Sequence, residues 1–225
     1  MTSAFATEPD DAAGYAERVA RHVPGLHDLH RMAGLLLAEH VPENGRVLAL
    51  GAGGGLELRA FARDHPGWRF DGVDPSPGMI ARARHVLGAH GARVTWHQGY
   101  VDDAPEGPFD GATCLLTLHF LPREERSRTL RALRRRLRPG APLIVAHHSF
   151  PLEDGQRERW LGRNAAWLIA AGVPEARATA GISVMRERLP VLAPEEEERL
   201  LRASGFGDVQ LFFAALTFKG WVAIA

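Results

Sequence analysis

A glycine-dense turn between a strand-like and a helix-like segment constrains the fold of this chain more than any other feature. The segment 46–50, apolar from Val47 onward, has the character of a buried strand, and Gly51, Gly53 and Gly55 follow it directly, at the start of a helical pattern. Because glycine lacks a Cβ, such a turn lets the backbone approach a ligand closely. The helix N-terminus behind it directs unpaired N–H groups and a positive dipole end to the same place. Together these features predict a site for a nucleotide-sized cofactor.

The spacing of the glycines narrows the class of cofactor. A dinucleotide-binding fingerprint needs glycine or alanine three residues after the second glycine, and Leu56 occupies that position. The spacing found here, Gly-x-Gly-x-Gly, is the one seen in S-adenosylmethionine (SAM) methyltransferases. A dinucleotide oxidoreductase is therefore the weaker interpretation.

Length and composition indicate one globular domain. The chain has 225 residues, of which 45% are hydrophobic and 24% charged, enough for one substantial α/β core. The formal net charge of +0 does not favour a nucleic acid partner. A single cysteine, Cys114, fits a reducing compartment, and no apolar run approaches the roughly 18 residues that span a bilayer. We therefore expect a cytoplasmic protein that does not enter the membrane.

The order of periodic segments predicts an α/β fold. After a polar, acidic leader that ends near Asp11, two helical patterns precede an alternation of strand and helix. Strands are predicted at 46–50, 69–74, 93–98, 109–116 and 142–148, and helices at 55–64, 77–90 and 123–138. We therefore expect a Rossmann-like, doubly wound, mostly parallel seven-stranded sheet, with N-terminal helices and a helical insert after strand 5.

The same patterns divide one domain, residues 1–225, into four parts. The N-terminal helices occupy 1–45, the cofactor-binding core 46–150, and the helical insert 151–190. Residues 191–225 hold a C-terminal helix and two strands, predicted at 208–214 and 216–224. The last two strands would complete the sheet as antiparallel members.

A carboxylate ends the second predicted strand. Asp74 lies about 20 residues after the glycine turn, the distance at which a strand-end acid commonly binds ribose hydroxyls. Ser76 and Pro77 follow as the N-cap and first residue of a helix. Asp74 is thus predicted to bind a ribose, the alternative being that it only forms part of a turn.

Four signatures in order resemble class I SAM-dependent methyltransferases. They are Gly51-x-Gly53-x-Gly55, the segment 73–79, Phe109-Asp110 and the segment 137–141. The resemblance implies SAM as cofactor, with Gly51, Ala52 and Gly53 beside its methionine part and Asp74 on its ribose. It also implies that Pro75 and Met79 lie beside the adenine, and that Tyr100, Val101 and Leu115 complete the cofactor wall.

Two acids usual in these methyltransferases are replaced here. The family usually carries an acidic residue near the methionine amino group, two positions before the first glycine, where this chain has Ala49. It often has an aspartate near the adenine after the third strand, where this chain has Tyr100. The Tyr100 ring could instead lie against the flat base.

A closer resemblance, over nearly the whole chain, is to carboxy-SAM synthases. It is carried by Val23-Pro24-Gly25, by 116–121 and by the C-terminal segment 203–220. That family makes, from SAM and prephenate, a carboxylated cofactor used in the modification of wobble uridine in transfer RNA. Where that family has tyrosine, asparagine and arginine, this chain aligns Leu26, Leu115 and Ile182. Since the arginine would bind the extra carboxylate, we favour a methyltransferase over a carboxy-SAM synthase.

No motif names a catalytic base. Methyl transfer from a sulfonium is an in-line displacement, so a base is needed only when the acceptor must lose a proton. His119, after the fourth strand, is the candidate, and its alternative role is packing beneath a loop. The histidines show no zinc-like spacing, and no metal is expected.

The acceptor is expected to be a small molecule held between the cofactor, the N-terminal helices and the insert. Arginines of the run 131–138 lie among leucines at helical spacing, so we interpret them as a solvated face and not as an RNA site. The resemblance makes a homodimer plausible. A carboxy-SAM synthase-like enzyme and a non-catalytic binding module with the same fold remain open as alternatives.

Overall fold

The fold follows the order that the sequence predicts. The computed structural model describes residues 12–153 and 155–225, and the expected acidic leader lies outside them. The helices are α1 (Ala12–His22), α2 (Leu26–Ala38), α3 (Leu56–Asp64), α4 (Pro77–Leu87), α5 (Arg123–Arg136), α6 (Gln156–Ala170), α7 (Glu175–Arg188) and α8 (Pro194–Ala203). The strands are β1 (Arg46–Leu50), β2 (Arg69–Asp74), β3 (Val94–Gln98), β4 (Gly111–Leu115), β5 (Pro142–His148), β6 (Gly207–Ala215) and β7 (Phe218–Ile224).

One seven-stranded sheet organises the molecule, in the order β3-β2-β1-β4-β5-β7-β6. Strands β1 to β5 pair in parallel, and β7 lies antiparallel between β5 and β6. The predicted Rossmann-like, mostly parallel sheet is confirmed, with one antiparallel hairpin at its end, in which only β7 runs opposite to the other strands. Because the chain order reverses beside β1, a crevice opens between the carboxyl ends of β1 and β4, where open α/β sheets bind ligands.

Helices bury both faces of the sheet. Alternate residues of β1 enter different apolar clusters: Leu48 and Leu50 join one, and Val47 and Ala49 join the other. Successive side chains of a strand point to opposite faces, so a strand covered on both sides is nearly continuously apolar. This is why residues 47–50 of the predicted strand 46–50 form an apolar run.

Several predicted boundaries differ from the structure by one to three residues, and two of the differences have a clear backbone cause. The helix expected at 77–90 ends at Leu87 and continues as a short 3-10 segment, because Gly88 adopts a positive φ of 51°. The strand expected at 109–116 spans only Gly111–Leu115, since Phe109 forms an isolated bridge to Leu137 and Leu116 has a φ of 58°. Neither change alters the topology.

The helical insert is fastened to the N-terminal helices. Its helices α6 and α7 share a small apolar cluster that includes Phe150, Leu161 and Ile182. The Trp167 indole N–H donates to the Arg21 carbonyl at the end of α1, at 2.9 Å. Among residues 12–153 and 155–225, no helix is long and apolar enough to cross a membrane.

Candidate functional site

The glycine turn is held rigidly at the carboxyl end of β1. Gly51, Gly53 and Gly55 have φ values of 70°, 44° and 75°, a region that side chains with a Cβ rarely enter. The amides of Gly51 and Ala52 both donate to the Val73 carbonyl of β2, at 2.8 and 3.0 Å. The predicted turn therefore exists, and its glycines are required by the backbone conformation.

Asp74 joins this turn to the next one. Its buried carboxylate accepts the Gly53 amide through Oδ2 and the Ser76 amide through Oδ1, both at 2.9 Å. Each carboxylate oxygen has a further lone pair, so that the group can still accept two vicinal hydroxyls. The geometry fits a ribose beside the glycine turn, and the ribose contact itself stays a prediction.

The turn after β2 lies next to the glycines. Ser76 caps α4 as expected, its Oγ accepting the Met79 amide at 3.3 Å. The Met79 Cε would lie 3.6 Å from a Cβ placed on Gly53, while Pro75 is exposed at the entrance of the turn. The structure therefore brings Pro75 and Met79 to one side of the turn, where an adenine could pack against them.

The three residues predicted to complete the cofactor wall, at the ends of β3 and β4, differ in burial. Val101 and Leu115 are buried, while Tyr100 is 61% exposed. The Gly99 amide donates to the Asp74 carbonyl at 3.1 Å, which holds this segment beside Asp74. Asp103 Oδ2 accepts the Tyr100 amide at 2.8 Å. The Asp103 carboxylate is thus bound to a backbone amide. Tyr100 stays the residue predicted to lie against the adenine.

The structure adds a tyrosine that the sequence reasoning missed. The Tyr15 ring of α1 lies directly on Gly54, so that a Cβ at position 54 would overlap the ring. Burial raises the pKa of Tyr15 to about 12, and the Arg82 guanidinium lies over its ring at 4.8 Å. In the sequence Tyr15 looks like one more apolar position of an amphipathic helix, so only the tertiary contact reveals its place at the turn.

A buried acid, Glu57, is the second residue that was missed. It lies in the first turn of α3, two positions after the last glycine of the turn, and is only 9% exposed. Burial raises its pKa to about 8. An acid this close to a cofactor-binding helix N-terminus was a usable signal in the sequence, but a first helical turn commonly carries exposed acids for other reasons.

Three histidines converge where β4 and β5 end. The ring of His119 lies 4.9 Å from that of His148 and 6.5 Å from that of His147, centroid to centroid. Burial, together with the neighbouring histidines, lowers the pKa of His119 well below 6.5, so that its ring is neutral near pH 7. The predicted burial beneath a loop is thus observed for this residue.

The tautomer of His119 follows from one hydrogen bond. Its Nδ1 accepts the backbone amide of His148 at 3.3 Å, which places the proton of the neutral ring on Nε2. In this state Nε2 can donate a hydrogen bond to a ligand but cannot accept a proton. The role of His119 as a base stays a prediction, and it would require the bond to His148 to break.

The comparisons with known sequences agree with this geometry. A family model described as a methyltransferase domain matches residues 47–140. The carboxy-S-adenosyl-L-methionine synthase of Chromohalobacter salexigens is 28% identical over 224 residues, which cover 97% of this chain and 83% of that protein. The enzyme of the same name from Klebsiella pneumoniae is 26% identical, over 93% of this chain and 87% of that one.

Solved structures of low sequence identity share the fold. An O-methyltransferase family protein from Burkholderia thailandensis superposes with a TM-score of 0.66 at 14% identity, over 92% of this chain and 56% of that one. Human N-acetylserotonin methyltransferase in complex with SAM gives 0.58 at 15% identity, over 85% and 51%. The chain thus spans about half the length of these two proteins. With the glycine turn and the strand order, these findings show a class I SAM-dependent methyltransferase domain at residues 47–140, with SAM as its cofactor.

Proposed function

We propose that this protein transfers the methyl group of SAM to a small-molecule acceptor. The main support is a cavity of about 280 Å³ between α1 and the connection of α6 to α7. Its volume is close to the lower end of the range for small-molecule pockets, and α1 links it to the glycine turn through Tyr15. The cavity is lined by Gly14, Glu17, Arg18, Arg21, His22, Gly172, Val173, Pro174 and Arg177.

The residues of the chain would contribute mainly by positioning. SAM supplies a methyl group already activated on a positively charged sulfur, so that alignment of the acceptor supplies much of the rate enhancement. The Tyr15 ring packs on the glycine turn at Gly54. His119 is not among the residues that line this cavity, so its role in the reaction stays a separate prediction.

The test is a search for acceptor-dependent turnover. Purified full-length protein is incubated with SAM and a panel of small phenols, carboxylates and amines, and S-adenosylhomocysteine is quantified by mass spectrometry. We expect its formation to depend on the presence of one acceptor class. Tight binding of SAM with no turnover on any acceptor would favour the non-catalytic binding module instead.

A carboxy-SAM synthase-like activity is the second candidate. The two synthases that match nearly the whole chain favour it. The buried side chain of Ile182 speaks against it, because it packs with Phe150 and Leu161 at the position where that family is expected to have an arginine. Incubation with SAM and prephenate decides the matter: a carboxylated SAM in the mass spectrum would replace our first proposal.

The proposed assembly is a homodimer, on the resemblance alone. Light scattering of the eluting peak in size-exclusion chromatography gives the mass in solution. A mass near that of the 24.6 kDa chain would contradict the proposal.

A further inference from the structure

Glu57 has an environment that an isolated carboxylate would not favour. It lies behind the glycine turn in the first turn of α3, whose N-cap is Gly55, and 91% of its surface is covered, since only 9% is exposed. An ionised carboxylate is costly to bury unless a cation or several donors pair with it. A buried acid at the edge of a ligand site is therefore expected to meet a cation or a hydrogen-bond donor of the ligand when the ligand binds.

The titratable groups around Glu57 come from three other elements. They are the Tyr15 phenol of α1, the Asp74 carboxylate of β2 and the Cys114 thiol of β4. Burial raises the pKa of Glu57 to about 8, its own backbone N–H offsets part of this rise, and the charge of Asp74 adds to it. The Arg82 guanidinium of α4 lies over the ring of Tyr15. The groups that shift the pKa of Glu57 are thus acids or backbone, and the carboxyl is protonated near pH 7.

SAM carries a cation that suits this position. Its methionine end has an α-ammonium group, and the glycine turn is the expected neighbour of that end. Position 49, the other place at which an acid could face this group, holds alanine, which is 1% exposed and belongs to the same apolar cluster as Ile144 and Ala146. Glu57 is a buried carboxyl at the same turn that could take this role.

We propose that Glu57 is a cofactor-binding residue: its carboxylate binds the α-ammonium group of SAM, while the Tyr15 ring covers the glycine turn. This inference rests on SAM binding as required by the proposed function. The exchange is balanced: the neutral carboxyl loses its proton to solvent, and the resulting carboxylate pairs with the ammonium group, which keeps its own protons. Binding near pH 7 therefore releases a proton.

Ligands with and without the amino-acid end isolate this contact. The probes are S-adenosylhomocysteine, which has the ammonium group, and 5′-methylthioadenosine, which shares the adenosine part and lacks that end. For Glu57→Gln we expect at least a tenfold loss of affinity for S-adenosylhomocysteine and no change for 5′-methylthioadenosine, both measured by calorimetry. The exposed Glu39→Gln is the matched control and should change neither affinity. An equal loss for both ligands would show that Glu57 only supports the fold, and an unchanged affinity for S-adenosylhomocysteine would also overturn the proposal.

Proton release gives a second readout that needs no variant. Calorimetry of the wild-type chain with S-adenosylhomocysteine at pH 7, in buffers of different ionisation enthalpy, should show release of close to one proton. Absence of release would overturn the proposal even if Glu57→Gln did not fold. If the wild-type chain bound neither SAM nor S-adenosylhomocysteine, the proposed function would fail with it, whereas binding without proton release would refute only the role of Glu57.

Discussion

At the scale of single residues, two different constraints require glycine in the glycine turn, residues 51–55. Gly51 has a left-handed backbone, and a Cβ there would also overlap the Thr117 side chain. Gly54 has no positive φ, and the three atoms nearest to a Cβ there all belong to the Tyr15 phenol. The first constraint is local, while the second depends on α1 packing onto the turn. A substitution at position 54 therefore reports on the docking of α1.

We expect Gly54→Ala to destabilise the fold by about 1–3 kcal/mol, the usual cost of overpacking a well-packed site. Urea unfolding measures this change. Gly162→Ala is the matched control, because no atom lies within 4 Å of a Cβ at that helical position. The control should be neutral or stabilising by about 0.5–1 kcal/mol. If the Tyr15 ring is the cause, adding Tyr15→Ala should reduce the destabilisation caused by Gly54→Ala. Equal stabilities of Gly54→Ala and Gly162→Ala would contradict the contact between Tyr15 and Gly54.

Asp74→Asn should weaken SAM binding by about 10- to 100-fold. A hydrogen bond to a charged group contributes roughly 1.5–3 kcal/mol, and an asparagine also leaves one backbone amide facing an N–H₂ group. Calorimetric titration with SAM measures the change. Asp102→Asn, which alters an exposed aspartate paired with Arg128, serves as the control. An affinity as high as that of the control would remove Asp74 from the predicted ribose site.

At the scale of elements, a buried ionic cluster connects α5, α8 and β5. The Arg126 guanidinium pairs with the Glu197 carboxylate, and both side chains are buried. Glu197 Oε1 also lies 3.0 Å from His147 Nε2. A second N–H₂ group of Arg126 donates to the carbonyls of Leu121 and Pro190, at 3.3 and 3.0 Å. The cluster therefore fixes the loop after β4, and with it the position of His119.

Removing one partner of this pair should cost far more than removing both. We expect Arg126→Met to destabilise the chain by about 3–5 kcal/mol, because it leaves the Glu197 carboxylate buried without its main partner. The double variant Arg126→Met/Glu197→Leu should recover much of that loss. Urea unfolding of both variants checks the order. If Arg126→Met destabilised the chain no more than the exposed control Arg123→Met, the pair of Arg126 and Glu197 would contribute little to stability.

The α5 arginines illustrate how an element can mix roles. Arg131 and Arg135 are exposed, as the interpretation of a solvated face requires. Arg136 instead donates to the carbonyls of Ala104 and Pro105, at 3.4 and 3.1 Å through Nε, and so fixes the loop before β4. Arg126 is fully buried one turn into the same helix. Helical periodicity located the leucine face correctly but could not show which arginines reach back to the body of the protein.

At the scale of the whole molecule, buried titratable groups act on stability in opposite directions. Burial lowers the pKa of His30 to about 4 and that of His148 to about 3, and it lowers the pKa of His119 well below 6.5. Between these values and 6.5 the unfolded chain binds more protons, so that stability falls as the pH falls. Glu57 has a folded pKa of about 8 against an ordinary 4.5. There the folded chain binds the extra proton, so that stability falls as the pH rises from 4.5 to 8.

We therefore expect the free energy of unfolding to be greatest near pH 6.5. Each group changes the free energy of unfolding by roughly 1 kcal/mol per pH unit. Below pH 6.5 the effect of the three histidines is larger than that of Glu57, and above pH 6.5 only the effect of Glu57 is left. Urea unfolding across pH 5 to 8.5 gives the profile. Glu57→Gln should flatten the decline above pH 6.5, and Glu39→Gln should leave it unchanged. Stability that kept rising to pH 8 in the wild-type chain would contradict the burial of Glu57.

Local signals in the sequence are enough to predict the sheet, the glycine turn and the place of Asp74 at the end of β2. These features are local: a strand between two helical layers is mostly apolar, a left-handed turn selects glycine, and a strand-end acid stands at a fixed distance along the chain. The strands 46–50, 69–74 and 142–148 therefore agree with the structure at both ends. The family and the cofactor followed from the order of such local signals.

The contacts between side chains that are far apart along the chain are visible only in the folded protein. Tyr15 lies on Gly54, the tautomer of His119 depends on the His148 amide, and Arg126 pairs with Glu197, 71 residues away. Periodicity tells which face of an element is buried, but not which residue of another element lies against it. The burial of Glu57 belongs to the same class, because a charge in a first helical turn looks the same in the sequence whether solvent or a cofactor site surrounds it.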